Sequence, residues 1–377
     1  MYQFKESLWG MILLVAAVAL LVCPAASGQG SLDFSLFSSP LLNPDSIPFA
    51  PPVYYSTGEW PTSVFCADLD GDSDLDLAMT YGFIIYGVSV LKNNGDGTFQ
   101  TKVDYGVGYS PQSVFCADLD GDSDLDLAVA NHGSNSVSIL KNNGNGTFQT
   151  SVNWVAESHP RSVFCADLDG DSDLDLAVAN EGSNNVSIWK NNGNATFAPH
   201  SNYGAGTDPV SVFCADLDGD WDLDLATANW GSNTVSTLRN NGNGTFTTRV
   251  DYGAGSMSAS VFCADLDGDS DLDLAVANAG GNGGVSVLEN NGNGTFQTKV
   301  DYGVGAGFAS VFCADLDGDS DFDMAAPVMV GYSVAIFRNL SPPAFVCGDV
   351  DGDGVVGITD IVYLVNYVLK SGPPPCE

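Results

Sequence analysis

Apolar and polar residues alternate in short runs along this chain, and the runs return at a fixed interval. Residues 113–152 hold four of them: Ser113-Val-Phe-Cys-Ala117, Leu125-Asp-Leu-Ala-Val-Ala130, Val137-Ser-Ile-Leu-Lys141 and Thr147-Phe-Gln-Thr-Ser-Val152. Alternation with period two over such lengths, rich in Val, Ile, Phe and Thr, predicts β-strands, here named A to D. Between C and D stands Asn142-Asn-Gly-Asn-Gly146, which supplies the positive-φ residues that a tight hairpin requires. The strand A cysteine recurs at Cys66, Cys116, Cys165, Cys214, Cys263 and Cys313, at spacings of 50, 49, 49, 49 and 50 residues. Self-similarity at this period marks a repeat architecture. Four short antiparallel strands per unit make a propeller blade, so the chain is predicted to be all-β, a six-bladed β-propeller.

The two ends of the array complete each other. The sixth unit reaches strand C at Val334–Arg338 and then runs into Leu340-Ser-Pro-Pro without a strand D. Phe49-Ala-Pro-Pro-Val-Tyr-Tyr55 aligns without gaps on Phe99–Tyr105, the strand D region of the first unit, and precedes the first strand A. Residues 49–55 are therefore predicted to complete the sixth blade, closing the ring with strands from both termini. The alternative of seven blades needs a further blade from residues 29–48, which are too few and too rich in Ser and Pro.

At 44% hydrophobic content the chain has material for a sizeable core. Its formal charge of -36 is concentrated: of 47 acids, thirty lie in the six repeated loops and four more near the C-terminus. Eleven Lys and Arg cannot build the basic face that nucleic acid requires, which excludes that partner. Residues 1–28 carry Lys5, an apolar run from Leu8 to Val22 and a small-residue end at Ala26-Ser27-Gly28. This is the pattern of a cleaved signal peptide, and it predicts a secreted or cell-surface protein. The run is short for an uncleaved anchor, and Val22 is too large for a lipoprotein cleavage site ahead of Cys23. No other stretch could cross a membrane. The predicted organisation is a signal peptide (1–28), a linker (29–48), the propeller (49–340), a second linker (341–346) and a small acidic unit (347–377).

The acids carry the chemistry. In Asp68-Leu-Asp70-Gly-Asp72-Ser-Asp74-Leu-Asp76, side chains at positions 1, 3 and 5 converge while Gly71 relaxes the backbone. Position 7 offers a carbonyl and position 9 a further carboxylate, which supplies the six to eight oxygens that Ca²⁺ takes and Mg²⁺ does not need. The set recurs as Asp118, Asp120, Asp122, Asp124 and Asp126; Asp167, Asp169, Asp171, Asp173 and Asp175; and Asp216, Asp218, Asp220, Asp222 and Asp224. It continues as Asp265, Asp267, Asp269, Asp271 and Asp273, and as Asp315, Asp317, Asp319, Asp321 and Asp323. Six Ca²⁺ sites are predicted, because a bare cluster of this kind repels itself and a bound cation reverses the sign.

With these loops the chain resembles the FG-GAP or VCBS repeat family, whose blades carry D-x-D-G-D-x-x-x-D loops similar to those of integrin α-subunit propellers. The resemblance covers about residues 49–340 and implies Ca²⁺ between strands A and B. It leaves function open, since members include adhesins, lectin-like modules and extracellular enzymes. One departure is Ser at position 6, with Trp221 in the fourth copy, where integrin-type loops favour Gly. Near the C-terminus Asp349, Asp351, Asp353, Val355 and Asp360 stand at EF-hand positions 1, 3, 5, 7 and 12, followed by an apolar-faced helix. This unit resembles dockerin type I, which implies a cohesin-like partner. A dockerin has two such units and this chain has one. Cys347 and Cys376 bracket it and are candidates for a disulfide staple.

The six strand A cysteines read as small buried residues, since facing sheets lie too far apart for bridges. Each of the three histidines falls at a different repeat position, so the sequence shows no histidine cluster. The repeats differ mainly in the D-to-A and B-to-C connections, which alternation places together opposite the acidic loops. The D-to-A loops carry Glu59, Trp60, Tyr109, His159, Arg161, Asp208, Met257 and Phe308, and the B-to-C loops carry His132, Glu181 and Trp230. The expected function is a non-catalytic binding or adhesion module that takes a glycan or an extracellular protein on this face. The competing reading is a polysaccharide-degrading enzyme, alone or in a dockerin–cohesin assembly, with carboxylates such as Glu59 and Asp208 as acid and base.

Overall fold

The computed structural model describes residues 53–339, apart from 83, 84, 281, 282, 304, 306 and 330–332. Among these, 23 strands form six antiparallel sheets, five of four strands and one of three. Each is an up-and-down meander, A on B on C on D, so the protein is a six-bladed β-propeller. In the second blade strand A is Pro111–Ala117, B is Asp126–Asn131, C is Ser136–Leu140 and D is Val152–Val155. Strand B is buried throughout because blades pack on both of its faces. Strand D is the outer edge and mostly exposed; Lys102, Arg249 and Lys299 put charge on three of these edges, which discourages edge-to-edge pairing.

Two structural details depart from the sequence reading. Strand D begins at Val152, not Thr147, because Phe148 makes only a lone bridge to Asn142. Its buried ring turns inward and stands edge-on to Tyr105 of the preceding blade at 5.4 Å. The run that looks like a strand is thus an anchor between blades. The 3-10 turns His132–Ser134 and Glu181–Ser183 between strands B and C also lack a sequence signal.

The A strands stand side by side around the axis, with Phe65, Phe115, Phe164, Phe213, Phe262 and Phe312 stepping ring to ring at 4.7 to 5.0 Å. The core lies between blades rather than within them. Between the second and third, Val137 and Ile139 pack against Val163, Cys165, Trp189 and Phe197. The cysteines of strand A are unbridged, with Cys66 half-buried and the other five buried.

The sixth sheet has three strands: Phe312–Ala314, Asp323–Val328 and Ser333–Phe337. The segment expected to complete it is described only from Val53, and residues 53–55 form no strand. Tyr55 nevertheless stands edge-on to Phe99 at 5.3 Å, as Tyr105 does to Phe148 and Tyr203 to Phe246. Residues 1–28, the dockerin-like segment with its acids, and Cys347 and Cys376 lie outside the described residues. No described helix is long and apolar enough to cross a membrane.

Candidate functional site

Each connection from strand A to strand B is wound around its first aspartate. Asp68 Oδ1 accepts a hydrogen bond from Gly71 N at 2.8 Å, and its Oδ2 accepts one from Ser73 N at 2.9 Å. The same pair recurs at Asp118, Asp167, Asp216, Asp265 and Asp315. The turn requires left-handed backbone at Gly71, with φ 77°. So wound, the loop gathers oxygens from Asp68, Asp70 and Asp76 to within 4.8 Å of one another. Asp118, Asp120 and Asp122 do likewise, as do Asp167, Asp169 and Asp175; Asp216, Asp218 and Asp224; and Asp265, Asp267 and Asp269.

These clusters fit a metal ion on the chemistry of their donors. Asp70 Oδ1, Asp120 Oδ1, Asp169 Oδ1 and Asp218 Oδ1 are buried with no hydrogen-bond partner. An unpaired buried carboxylate oxygen is costly, and the same orphan at one repeat position in four blades leaves a place for a cation. An all-oxygen set suits a hard divalent ion. The second oxygen of each of these residues meets a tethered cation from the end of strand C: Lys141 Nζ lies 2.9 Å from Asp120 Oδ2, and Lys190 Nζ lies 2.9 Å from Asp169 Oδ2. The same amines donate to the carbonyls of Asn194 and Asn243 in the next blade, at 2.7 and 2.6 Å. Lys92 and Arg239 repeat the arrangement with Asp70 and Asp218. In the fifth blade this position is Glu289.

Positions 7 and 9 of the loop make further contacts. A Cβ at Gly144 would come within 2.6 Å of Asp124 Oδ2. The position 7 side chain therefore packs over the C–D hairpin, and Asp74, Asp173, Asp222 and Asp271 do the same over their own hairpins. The position 9 carboxylates are buried braces. Asp126 Oδ2 accepts from Leu119 N at 3.3 Å, and its Oδ1 accepts from Asn142 N at 2.8 Å, which joins the loop to the hairpin. Burial outweighs these donors and pushes Asp126, Asp175, Asp224 and Asp273 up to about 7, and Asp76 to about 6.

Position 6 stores strain. Ser73, Ser123, Ser172, Trp221, Ser270 and Ser320 all hold φ between 73° and 77°, a conformation that costs a residue bearing a Cβ roughly 1–2 kcal/mol. Ser123→Gly is expected to raise stability by about 0.5–1 kcal/mol after the entropy of glycine is subtracted. The urea midpoint of the metal-loaded protein measures this, and an unchanged or lowered midpoint would remove the strain argument.

At the opposite ends of the blades the variable loops share one backbone. Trp60, Ser110, His159, Asp208 and Met257 are left-handed, with φ from 52° to 59°. Their carbonyls accept from Gly82, His132, Glu181, Trp230 and Ala279 of the neighbouring turn, at 2.9 to 3.2 Å. The amides of His159, Asp208 and Met257 donate to Asn135, Asn184 and Asn233 of the preceding blade, at 2.7 to 2.9 Å. A β-bulge at the start of strand A, between Pro111 and Ser113 in the second blade, re-aims the chain into this turn. The left-handed residue in the second blade is Ser110, while the exposed side chain beside it is Tyr109, which stands edge-on to Tyr86 at 5.2 Å.

Across the second and third blades the face brings two histidines together, contrary to the sequence reading. The B-to-C turn of one blade abuts the D-to-A turn of the next, so His132 stacks on His159 with ring centroids 4.4 Å apart. His132 Nε2 lies 3.3 Å from Glu181 Oε2, and Arg161 Nη1 lies 3.4 Å from the same oxygen. Burial pulls His132 below the usual histidine range. A second group, absent from the sequence reading, joins Glu157 to His200 and Asn202 at 3.5 and 2.7 Å. These bonds hold the Glu157 carboxyl below its ordinary value. Phe308 is a correction. It is 2% exposed and packs edge-on to Phe337 in the core between the fifth and sixth blades, so it is not available to a ligand. Glu59 and Asp208 belong to the first and fourth blades, on opposite sides of the wheel.

A family model described as FG-GAP-like repeat matches residues 86–129, 118–178, 167–227, 216–276 and 265–326. Among solved structures the chain is similar to an Agrocybe aegerita lectin described as specifically recognising non-reducing terminal N-acetylglucosamine. The two are 25% identical over 73% of this chain and 80% of that one, with a TM-score of 0.53. It is also similar in fold to BBS1N in a complex with ARL6DN, at 13% identity over 76% of this chain and 80% of that one, with a TM-score of 0.52. No curated protein matches the chain.

Proposed function

The chain belongs to the FG-GAP-like repeat family, and on that premise we propose that it is an exported, Ca²⁺-stabilised, non-catalytic binding module whose variable loop face takes a glycan or protein ligand. The observation that carries this reading is the contrast between backbone and side chain on that face. Five turns hold the same strained φ and the same hydrogen bonds, yet display Trp60, Ser110, His159, Asp208 and Met257. Strained residues held by their surroundings favour a pre-organised surface over drifting loops, and loops on a rigid scaffold are where binding concentrates. Exposed Trp60 and Tyr109 beside polar and acidic neighbours suit the apolar faces and hydroxyl groups of a sugar. The similar lectin supports the glycan arm.

Ca²⁺ is the ion that best suits the acidic loops, where Asp68, Asp70, Asp72 and Asp76 and their equivalents would hold it and the position 7 carbonyl would complete the shell. Its role here is to neutralise and brace. In each of the first four blades the cation would sit beside the Lys or Arg that ties one loop to the next hairpin.

A glycan array and an extracellular protein library, probed in Ca²⁺, test the reading. Trp60→Ala and Tyr109→Ala are each expected to weaken the selected ligand at least about tenfold, a loss of about 1.4 kcal/mol, while leaving the melting temperature within about 2 °C of the parent. Binding that survives both substitutions places the ligand elsewhere and overturns the assignment of this face. Turnover of a polysaccharide, abolished by Glu59→Ala or Asp208→Ala, would favour the enzyme instead.

A further inference from the structure

Nearly all the positive charge of this chain is committed away from the variable face. Nine Lys and Arg lie among the described residues. Lys92, Lys141, Lys190, Arg239 and Arg338 pair with aspartates of the acidic loops, and Lys102, Arg249 and Lys299 pair with aspartates of the D strands beside them. Arg161 is the ninth. It stands at the start of strand A of the third blade, Pro160–Ala166, where Thr62, Gln112, Val210 and Ala259 hold the equivalent place in four other blades. His132 and His159, two of the three histidines, come to the same spot. Glu181 Oε2 meets His132 Nε2 at 3.3 Å and Arg161 Nη1 at 3.4 Å. Both contacts are long beside the 2.9 Å of the Lys141 and Lys190 tethers and beside the about 2.7–2.9 Å of a charge-assisted hydrogen bond. One carboxylate is thus shared loosely between two basic groups.

We propose that Arg161, His132 and His159 bind the anionic group, a carboxylate or a sulfate, of an acidic saccharide. The proposal rests on the reading that the variable face binds a ligand, and it names that ligand's chemical class. A guanidinium offers five donors in a fixed fork that matches a two-oxygen anion. The single 3.4 Å contact to Glu181 leaves most of them to a ligand, and the Arg161 side chain is 41% exposed. An aromatic surface lies one turn away. Tyr109 is 66% exposed, and its carbonyl accepts from Gly133 N at 2.9 Å, inside the turn His132–Ser134. An apolar ring for the sugar therefore stands beside charge for its anion. The acidity of the whole protein does not forbid this. The acidic loop lies at the other end of the seven-residue strand A, roughly 20 Å away, which is more than two Debye lengths of about 8 Å in physiological salt. Of the nearer acids, Glu157 Oε1 is engaged by His200 and Asn202, and Asp208 belongs to the following turn, where its amide donates to Asn184.

An array of matched oligosaccharides tests the proposal on the full chain in Ca²⁺, each backbone presented as its uronate, its sulfated form and its carboxyl-reduced neutral form. A charged form is expected to bind at least about tenfold more tightly than its neutral counterpart, and whether the uronate or the sulfated form leads identifies the anion. Arg161→Gln should weaken that probe at least about tenfold with the melting temperature unchanged. Glu181→Gln should strengthen it at least about threefold, because a competing carboxylate is removed; loss of a merely structural contact would not raise affinity. Equal binding of charged and neutral forms, or no binding of any charged form, overturns the proposal. So does a Glu181→Gln protein that binds the charged probe more weakly, since the site would then favour a cation. A neutral ligand that depends on Trp60 and Tyr109 but ignores Arg161→Gln would overturn it while leaving the reading of the face in place.

Discussion

Stripping divalent ions with EDTA is expected to lower the melting temperature by more than about 10 °C, and excess Ca²⁺ to restore it. A site saturated at a hundredfold excess over Kd contributes about 2.7 kcal/mol, and each kcal/mol moves a protein of this size by roughly 2–4 °C, so even two occupied sites reach that figure. The opposing effect is the tethered cations: Lys92, Lys141, Lys190 and Arg239 already neutralise one carboxylate per loop. Each loop sets five aspartates against that one positive charge. Like-charged pairs at about 4 Å repel by roughly 1 kcal/mol in water and about 4 at an effective dielectric near 20, so the tether covers only part of the cost. The fifth blade, with Glu289 at the tether position, is expected to lose its order first. A melting temperature that ignores EDTA would mean that tethers and backbone donors hold the loops unaided, and structural calcium would have to be abandoned.

The repeat and its acidic loops were legible because carboxylates cannot be dispersed into a core, so thirty of them at one spacing can only be a device. Blade number and strand order followed from the same period. Contacts that exist only between repeats were not legible. Nothing in the residues around His132 or His159 shows that the two rings stack, because they lie in different blades and meet through the packing of one turn on the next. Phe148 and Phe308 misled for a related reason: an aromatic in an alternating run, or in a variable loop, looks the same in sequence whether it faces solvent or the seam between blades. At Asp126 the sequence correctly marked the residue as part of the acidic loop, but only the fold shows its oxygens accepting from Leu119 N and Asn142 N.

Those buried aspartates give the chelated protein an inverted pH dependence. Asp126, Asp175, Asp224 and Asp273 sit up to about 7 in the folded chain, against about 3.9 when unfolded. Between these values the folded state binds more protons than the unfolded one, so stability falls as pH rises through the window and is greatest near its acid end. Each carboxyl contributes a slope of up to about 1.4 kcal/mol per pH unit, and partial opening of the loops reduces the sum. In EDTA the melting temperature is therefore expected to be at least about 5 °C higher at pH 5 than at pH 7.5, a shift that about 1–3 kcal/mol would produce. With Ca²⁺ bound the sign reverses, because the cation holds the same carboxylates ionised and protons compete with it. The two titrations, run side by side by calorimetry, should cross. Parallel curves would show that the position 9 carboxylates do not feel the ion, and would confine any bound metal to Asp68, Asp70, Asp72 and their equivalents at the loop surface.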